Sequence, residues 1–158
     1  MNAESTDRLA QLVRERKTAA LGTLRAGGPQ LSMVPYAIAA DGSGFLIHVS
    51  RLAAHTKDML ADARVSLLVA EAEDGGKSPL ALARVSVQGV AEAIASDASA
   101  LPGFRSTYLA RFPDAEQLFG FADFSLFLIR PDSARFVAGF GEAHSLTGES
   151  LMRMVRQG

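Results

Sequence analysis

Residues 45–68, FLIHVSRLAAHTKDMLADARVSLL, constrain the fold more than any other stretch of this chain. Phe45, Leu46, Ile47 and Val49 form an apolar run of strand length, and Ser50 stands where a helix N-cap belongs. The spacing of Leu52, Thr56, Met59 and Leu60 predicts a short helix with those residues facing inward. Arg51, His55, Asp58 and Asp62 then share another face, with Lys57 to one side. Residues 64–70 resume as a strand. Cations beside a helix N-terminus, directly after a buried strand, suit a phosphate. The same charges on a solvated helix face would need no ligand at all.

Around this segment the pattern is mostly strand. Ser5 or Thr6 is placed to cap an amphipathic helix that carries Leu9, Leu12 and Val13 on one face. Strand material runs from Thr18 to Leu24, and Gly27-Gly28-Pro29 is expected to turn it into a second strand over 30–39. Pro35 lies inside that second strand. A proline cannot donate to a ladder, so it marks an edge or a bulge. Residues 41–44 form a turn, residues 71–78 a polar loop, and residues 82–94 a long strand. In that strand Val85, Val87 and Gly89 face one way and Arg84, Ser86 and Gln88 the other.

From Ser99 the period changes to that of a helix, with Leu101, Phe104, Tyr108 and Leu109 on one face and Pro102 in the first turn. Apolar runs at 123–129 and 134–137 read as two strands with a turn at 130–133 between them. Gly139-Phe140-Gly141 reads as a tight turn against which Phe140 packs, or as a close approach of backbone and aromatic ring to a planar ligand. A last short helix is expected over 149–155. No repeat or linker divides the sequence, so residues 1–158 are expected to form one domain.

Composition excludes several function classes. The net charge is −1, which argues against a broad nucleic-acid surface. There is no cysteine, so disulfides, thiolate catalysis and cysteine-ligated metals are out. His48, His55 and His144 have no metal-ligand spacing, no Gly-x-Ser-x-Gly elbow is present, and no glycine fingerprint opens a βαβ unit. The start of the chain lacks the apolar core of a signal peptide, and no run approaches a membrane span. A cytoplasmic protein without membrane or nucleic-acid partners is therefore expected.

The 45–68 segment resembles the flavin-phosphate region of the pyridoxamine 5'-phosphate oxidase-like split barrels, homodimeric proteins that bind flavin mononucleotide (FMN). The resemblance runs from about Thr18 to His144. It implies a mainly β (α+β) fold, a six- to seven-stranded antiparallel split barrel with flanking helices. The dimer interface would be built from the barrel sheets and the helix after Ser99. Val34, Pro35 and Tyr36 would lie on the strand passing beside the flavin ring, and His48 and Val49 would touch the flavin. Ser50, Arg51, His55 and Lys57 would surround its phosphate, with Arg84 reaching the cofactor from its own strand. The family's usual Arg-Lys pair is replaced by Ala54-His55. The family's C-terminal Arg-x-His motif and its tryptophan are absent, so pyridoxamine phosphate is not implied as the substrate.

The sequence also resembles the haem-utilisation branch of that superfamily. Ser50 to Thr56 matches its Ser-x-Leu-x-x-His-Thr helix, Arg84 to Gly89 its Arg-x-x-x-x-Gly strand, and Gly139 to Gly141 its Gly-Phe-Gly. The function implied is an FMN-dependent oxidoreductase of unknown substrate. The alternatives are a haem-binding or haem-degrading protein, with His144 as a candidate axial ligand and Phe140 over the ring, or a flavin carrier or sensor.

Overall fold

A computed structural model describes residues 1–156. Eight strands form a single antiparallel sheet in the order β2-β1-β5-β6-β7-β4-β3, and β8 pairs with the second half of β7. The strands are β1 (Thr18–Arg25), β2 (Gly28–Pro35), β3 (Ala37–Ile38), β4 (Phe45–Ser50), β5 (Arg64–Ala70), β6 (Arg84–Ala93), β7 (Phe124–Gly139) and β8 (Glu142–Thr147). Four α-helices flank them: α1 (Ala3–Glu15), α2 (Ala54–Ala61), α3 (Leu101–Arg111) and α4 (Gly148–Arg156). The sheet curls into a split barrel, the fold class expected, with one strand more than the six or seven anticipated.

Two apolar layers hold it together. The inner one is built from alternate residues of the curled strands, among them Leu21, Phe45, Ile47, Val85 and Phe136, and is closed by α1 and α4. The outer one lies between β4 and β7 on one side and α3 on the other, where Leu46, Leu126 and Leu128 meet Phe104 and Tyr108. A strand covered on both faces needs a continuous rather than an alternating apolar run. That is why residues 45–49 are buried without a break.

Several local expectations are corrected. Asn2, not Ser5 or Thr6, caps α1, its side chain accepting from the Ser5 N–H at 2.8 Å. The β1–β2 turn is Ala26-Gly27 rather than Gly27-Gly28-Pro29, both residues having positive φ as a two-residue type I′ hairpin requires. The second strand stops at Pro35 and restarts as β3. Residues 130–133 are not a turn. β7 runs straight through them, with the ladder slipping by a bulge opposite Gln88 and Gly89. Gly139-Phe140-Gly141 does turn, but into the unexpected strand β8. Phe140 at its tip is 84% exposed rather than packed.

Candidate ligand site at the end of the barrel

α2 follows β4 through a short turn. Ser50 is not its N-cap: Ala53 holds that position and offers no side-chain bond. The Ser50 hydroxyl instead donates to Asp123 Oδ2 at 2.8 Å and accepts from the Leu52 N–H at 3.1 Å. Thr56 Oγ1 ties the helix back to the Ser50 carbonyl at 2.6 Å. The first-turn N–H groups of α2 are thus left without a capping side chain, a local surplus of positive potential.

The inward face of α2 differs from the one its spacing predicts. Thr56 and Met59 are buried as expected, but Leu52 and Leu60 are 74% and 61% exposed. Asp58 takes the inner position. Its carboxylate accepts from Arg25 Nε at 2.9 Å and Arg25 Nη2 at 3.0 Å, and from Thr23 Oγ1 at 3.0 Å. The Arg25 guanidinium holds the Asp58 carboxyl below the usual carboxylate range, against the opposing effect of its burial. Nothing in the helical pattern pointed to this link, because both partners lie more than thirty residues away on β1.

The lip at the start of α2 carries Arg51 in the preceding turn and His55 and Lys57 two positions apart in the helix, so that the last two point to different sides. Neither Arg51 nor Lys57 has a carboxylate partner among the described residues. Burial lowers the His55 pKa, partly countered by the Asp58 carboxylate, which favours the neutral ring. The segment from Arg51 to Lys57 therefore carries two cations without a carboxylate partner among the described residues, first-turn N–H groups without a capping side chain, an imidazole and the exposed Leu52.

The other anticipated residues are placed elsewhere. Val34 and Val49 are buried, and Tyr36 is in the inner core with its hydroxyl donating to the Val13 carbonyl at 2.6 Å. Pro35 is exposed on the outermost strand, as its chemistry requires. His48 is stacked on Phe119, ring centroids 3.8 Å apart, with Tyr108 and Phe124 at its edges. Its Nδ1 is buried without a partner, and burial pushes its pKa down to about 4.

Arg84 pairs with Val137 at the far end of β7 from Phe124, the partner of Ser50, and donates to the Leu82 carbonyl at 2.9 Å. One copy of the chain therefore does not bring Arg84 to the α2 lip. His144 lies on β8 with Nε2 2.9 Å from Glu142 Oε1, and the Ser5 hydroxyl donates to the same carboxylate. Among the described residues no group of three or more His, Asp or Glu side chains is placed to hold a metal ion. No helix of the described residues is long and apolar enough to cross a membrane.

Among the described residues no helix covers Leu31, Met33 and Leu68 on the outer face of the β2-β1-β5-β6 half. Register sets Leu31 beside Gly22 and Met33 beside Ala20, with Leu68 next to Ala20 on β5. Leu31 and Met33 are 83% and 65% exposed. A recess of about 520 Å³ beside Leu31 reaches Ser66 and Gln88.

Comparison with known proteins gives a consistent picture. The chain is 29% identical over 144 residues to heme oxygenase HutZ of Vibrio cholerae, covering 90% of this chain and 81% of that protein. It is 41% identical over 124 residues to the non-canonical heme oxygenase HOZ, chloroplastic, of Arabidopsis thaliana. That match covers 78% of this chain but only 36% of the plant protein, so the chain spans about a third of that relative. A heme binding protein from Mycobacterium smegmatis superposes with a TM-score of 0.84 at 28% identity, over 97% of this chain and 62% of that one. The family model for pyridoxamine 5'-phosphate oxidase matches residues 5–138, and with the split barrel already established by its strand order, this chain belongs to that family.

Proposed function

We propose that this protein binds haem at the α2 lip and takes part in its turnover. The observation that carries the reading is the half-buried His55 in the first turn of α2, in a segment where Leu52 is exposed and Arg51 and Lys57 have no carboxylate partner among the described residues. A porphyrin presents an apolar disc, a metal that takes a neutral imidazole and two carboxylates, and the lip has a partner for each. His55 would hold the iron, Leu52 would lie against the ring, and Arg51 and Lys57 would pair with the propionates through charge-assisted bonds. The other histidines fit less well. His48 is sealed against Phe119, and His144 is engaged by Glu142 on the side of β8 that faces α1. When bound, haem would supply the oxygen and redox chemistry, and the chain would position it and set its electrostatics. The names of the curated relatives, both heme oxygenases, support this reading over a flavin oxidoreductase.

A second reading keeps FMN. The uncapped N-terminus of α2 and the same two cations suit a phosphate as well as a propionate, and the family model supports it. A third assignment follows from the uncovered outer face: two copies would associate through Leu31, Met33 and Leu68. Titration with hemin and with FMN separates the first two. Haem binding gives an intense band near roughly 400 nm, flavin one near about 450 nm. We expect the haem band, its perturbation in His55→Ala, and its decay when a reductant and oxygen are supplied. An unperturbed band in His55→Ala would move the iron ligand to another residue, and a flavin band alone would return the assignment to FMN.

A further inference from the structure

Ser50 is the hub of the turn from β4 into α2. Its hydroxyl donates to Asp123 Oδ2 at 2.8 Å and accepts from the Leu52 N–H at 3.1 Å. Its carbonyl accepts from Thr56 Oγ1 at 2.6 Å and from the Ala53 N–H at 3.2 Å. Asp123 stands just before β7, whose Phe124 pairs with Ser50. It reaches the turn twice, by its carboxylate at Ser50 and by its carbonyl, which accepts from the Arg51 N–H at 2.6 Å.

Two donors of the turn, the Ser50 hydroxyl and the Arg51 N–H, are thus spent on one half-buried acidic residue. The neighbouring carboxylates are neutralised, Asp58 by Arg25 and Asp62 by Arg64. Asp123 forms no ion pair among the described residues. An uncancelled negative charge therefore stands where the start of α2 would otherwise favour a bound anion. We infer that Asp123 is a specificity-determining residue of the α2 site: its carboxylate holds the place and the hydroxyl that a phosphate would use, and so sets the site against phosphate-bearing ligands. This rests on the α2 segment being the ligand site, and it bears on which ligand that segment takes.

Asp123→Asn separates charge from tethering. Asparagine keeps an oxygen that accepts from Ser50 and a backbone carbonyl for Arg51, and removes only the charge. At about pH 7.5 and low salt, FMN and pyrophosphate should bind roughly three- to thirtyfold more tightly to Asp123→Asn than to wild type, the gain shrinking with added salt. Riboflavin, the same ring system without the phosphate, should bind both proteins alike. Asp123→Ala also frees the Ser50 hydroxyl, and should shift the ratio of FMN to riboflavin affinity in the same direction.

If Asp123 only pins the turn, Asp123→Asn leaves both flavins as they are and Asp123→Ala weakens both together. That result, or an equal gain for FMN and riboflavin, overturns the inference. Where neither flavin binds, the pyrophosphate gain carries the test, and its absence overturns the inference. Hemin titration stands apart from these arms. A phosphate gain in Asp123→Asn with no haem band in wild type keeps the role of Asp123 and removes haem as the ligand. A haem band with no phosphate gain keeps haem and removes the role of Asp123.

Discussion

Gly148 sits against the carbonyl of Pro131 so closely that a β-carbon there would lie 1.8 Å from the oxygen. The two carbonyls before it are treated alike. A β-carbon on Gly44 would meet the Ile129 oxygen at 2.1 Å, and one on Gly89 the Arg130 oxygen at 2.2 Å. Three glycines from different elements thus bear on three successive carbonyls of β7, where it leaves β4 and takes up β8. No side chain fits at these points, and the contact involves backbone that cannot swing away. Gly89→Ala and Gly148→Ala should each destabilise by about 2–4 kcal/mol, in the range of severe overpacking. Gly103→Ala is the control: nothing lies within 4 Å of its β-carbon, it is within α3, and it should stabilise by up to about 1 kcal/mol. Denaturant melts of the three variants check the contrast.

The same place explains what sequence reasoning could and could not reach. β4, β5 and β6 and the buried face of α3 follow from local periodicity, which records how each element meets its core. Pro131 and Asp132 look like a turn because their residue types favour one. They are in fact the bulge of a continuous strand, kept in line by glycines distant in sequence. Asp58 reads as a surface residue by spacing, and only the fold reveals that Arg25 and Thr23 draw it inward while Leu52 and Leu60 turn out. Ser50, Arg51, His55 and Lys57 are grouped by their closeness in sequence, which does not say which of them share a side of α2. Arg84 could not be separated from them without knowing the strand order.

The β1–β2 turn holds a second backbone prediction. Ala26 has φ of 49°, a left-handed conformation that costs an L-residue with a β-carbon roughly 1–2 kcal/mol. Asparagine and glycine favour that position in a type I′ turn. Ala26→Asn should therefore stabilise by about 0.5–1 kcal/mol, read as a higher denaturant midpoint with an unchanged slope.

His48 gives a pH dependence of known sign. Its folded pKa of about 4 lies below the ordinary value of 6.5 because burial, and to a lesser extent Arg105, disfavour the charged ring. The unfolded chain therefore binds a proton more readily. The stability associated with a neutral His48 is fully present above about pH 6.5, declines as pH falls, and is lost once pH passes below about 4. The total is on the order of 3 kcal/mol. His55, also lowered, acts in the same direction. His48→Phe keeps a ring on Phe119 and removes the proton site, so its stability between pH 6.5 and 4 should fall less than that of wild type. Equal slopes in parallel denaturant titrations would show that His48 relaxes on protonation instead of opposing it.

The uncovered outer face of the sheet supplies the last prediction. Leu31, Met33 and Leu68 form one apolar strip because register sets β2, β1 and β5 side by side, with Ala20 and Gly22 too small to interrupt it. Large contiguous apolar surface of this kind is uncommon on a monomer and marks association. Pro29 and Pro35, at the two ends of β2, oppose the simpler alternative of adding a strand at that edge, since neither can donate to a new ladder. Face-to-face packing of two copies is left, and an obligate two-fold interface should bury more than about 2,000 Å² in total. Sedimentation at micromolar concentration should show a dimer for wild type and a monomer for Leu31→Glu/Met33→Glu, because association would then bury two unpaired carboxylates from each copy. Both side chains already face water in the single chain, so the fold of each copy should survive the exchange, with unchanged far-ultraviolet circular dichroism. A wild type that sediments as a monomer would assign the strip to a ligand or to a different partner.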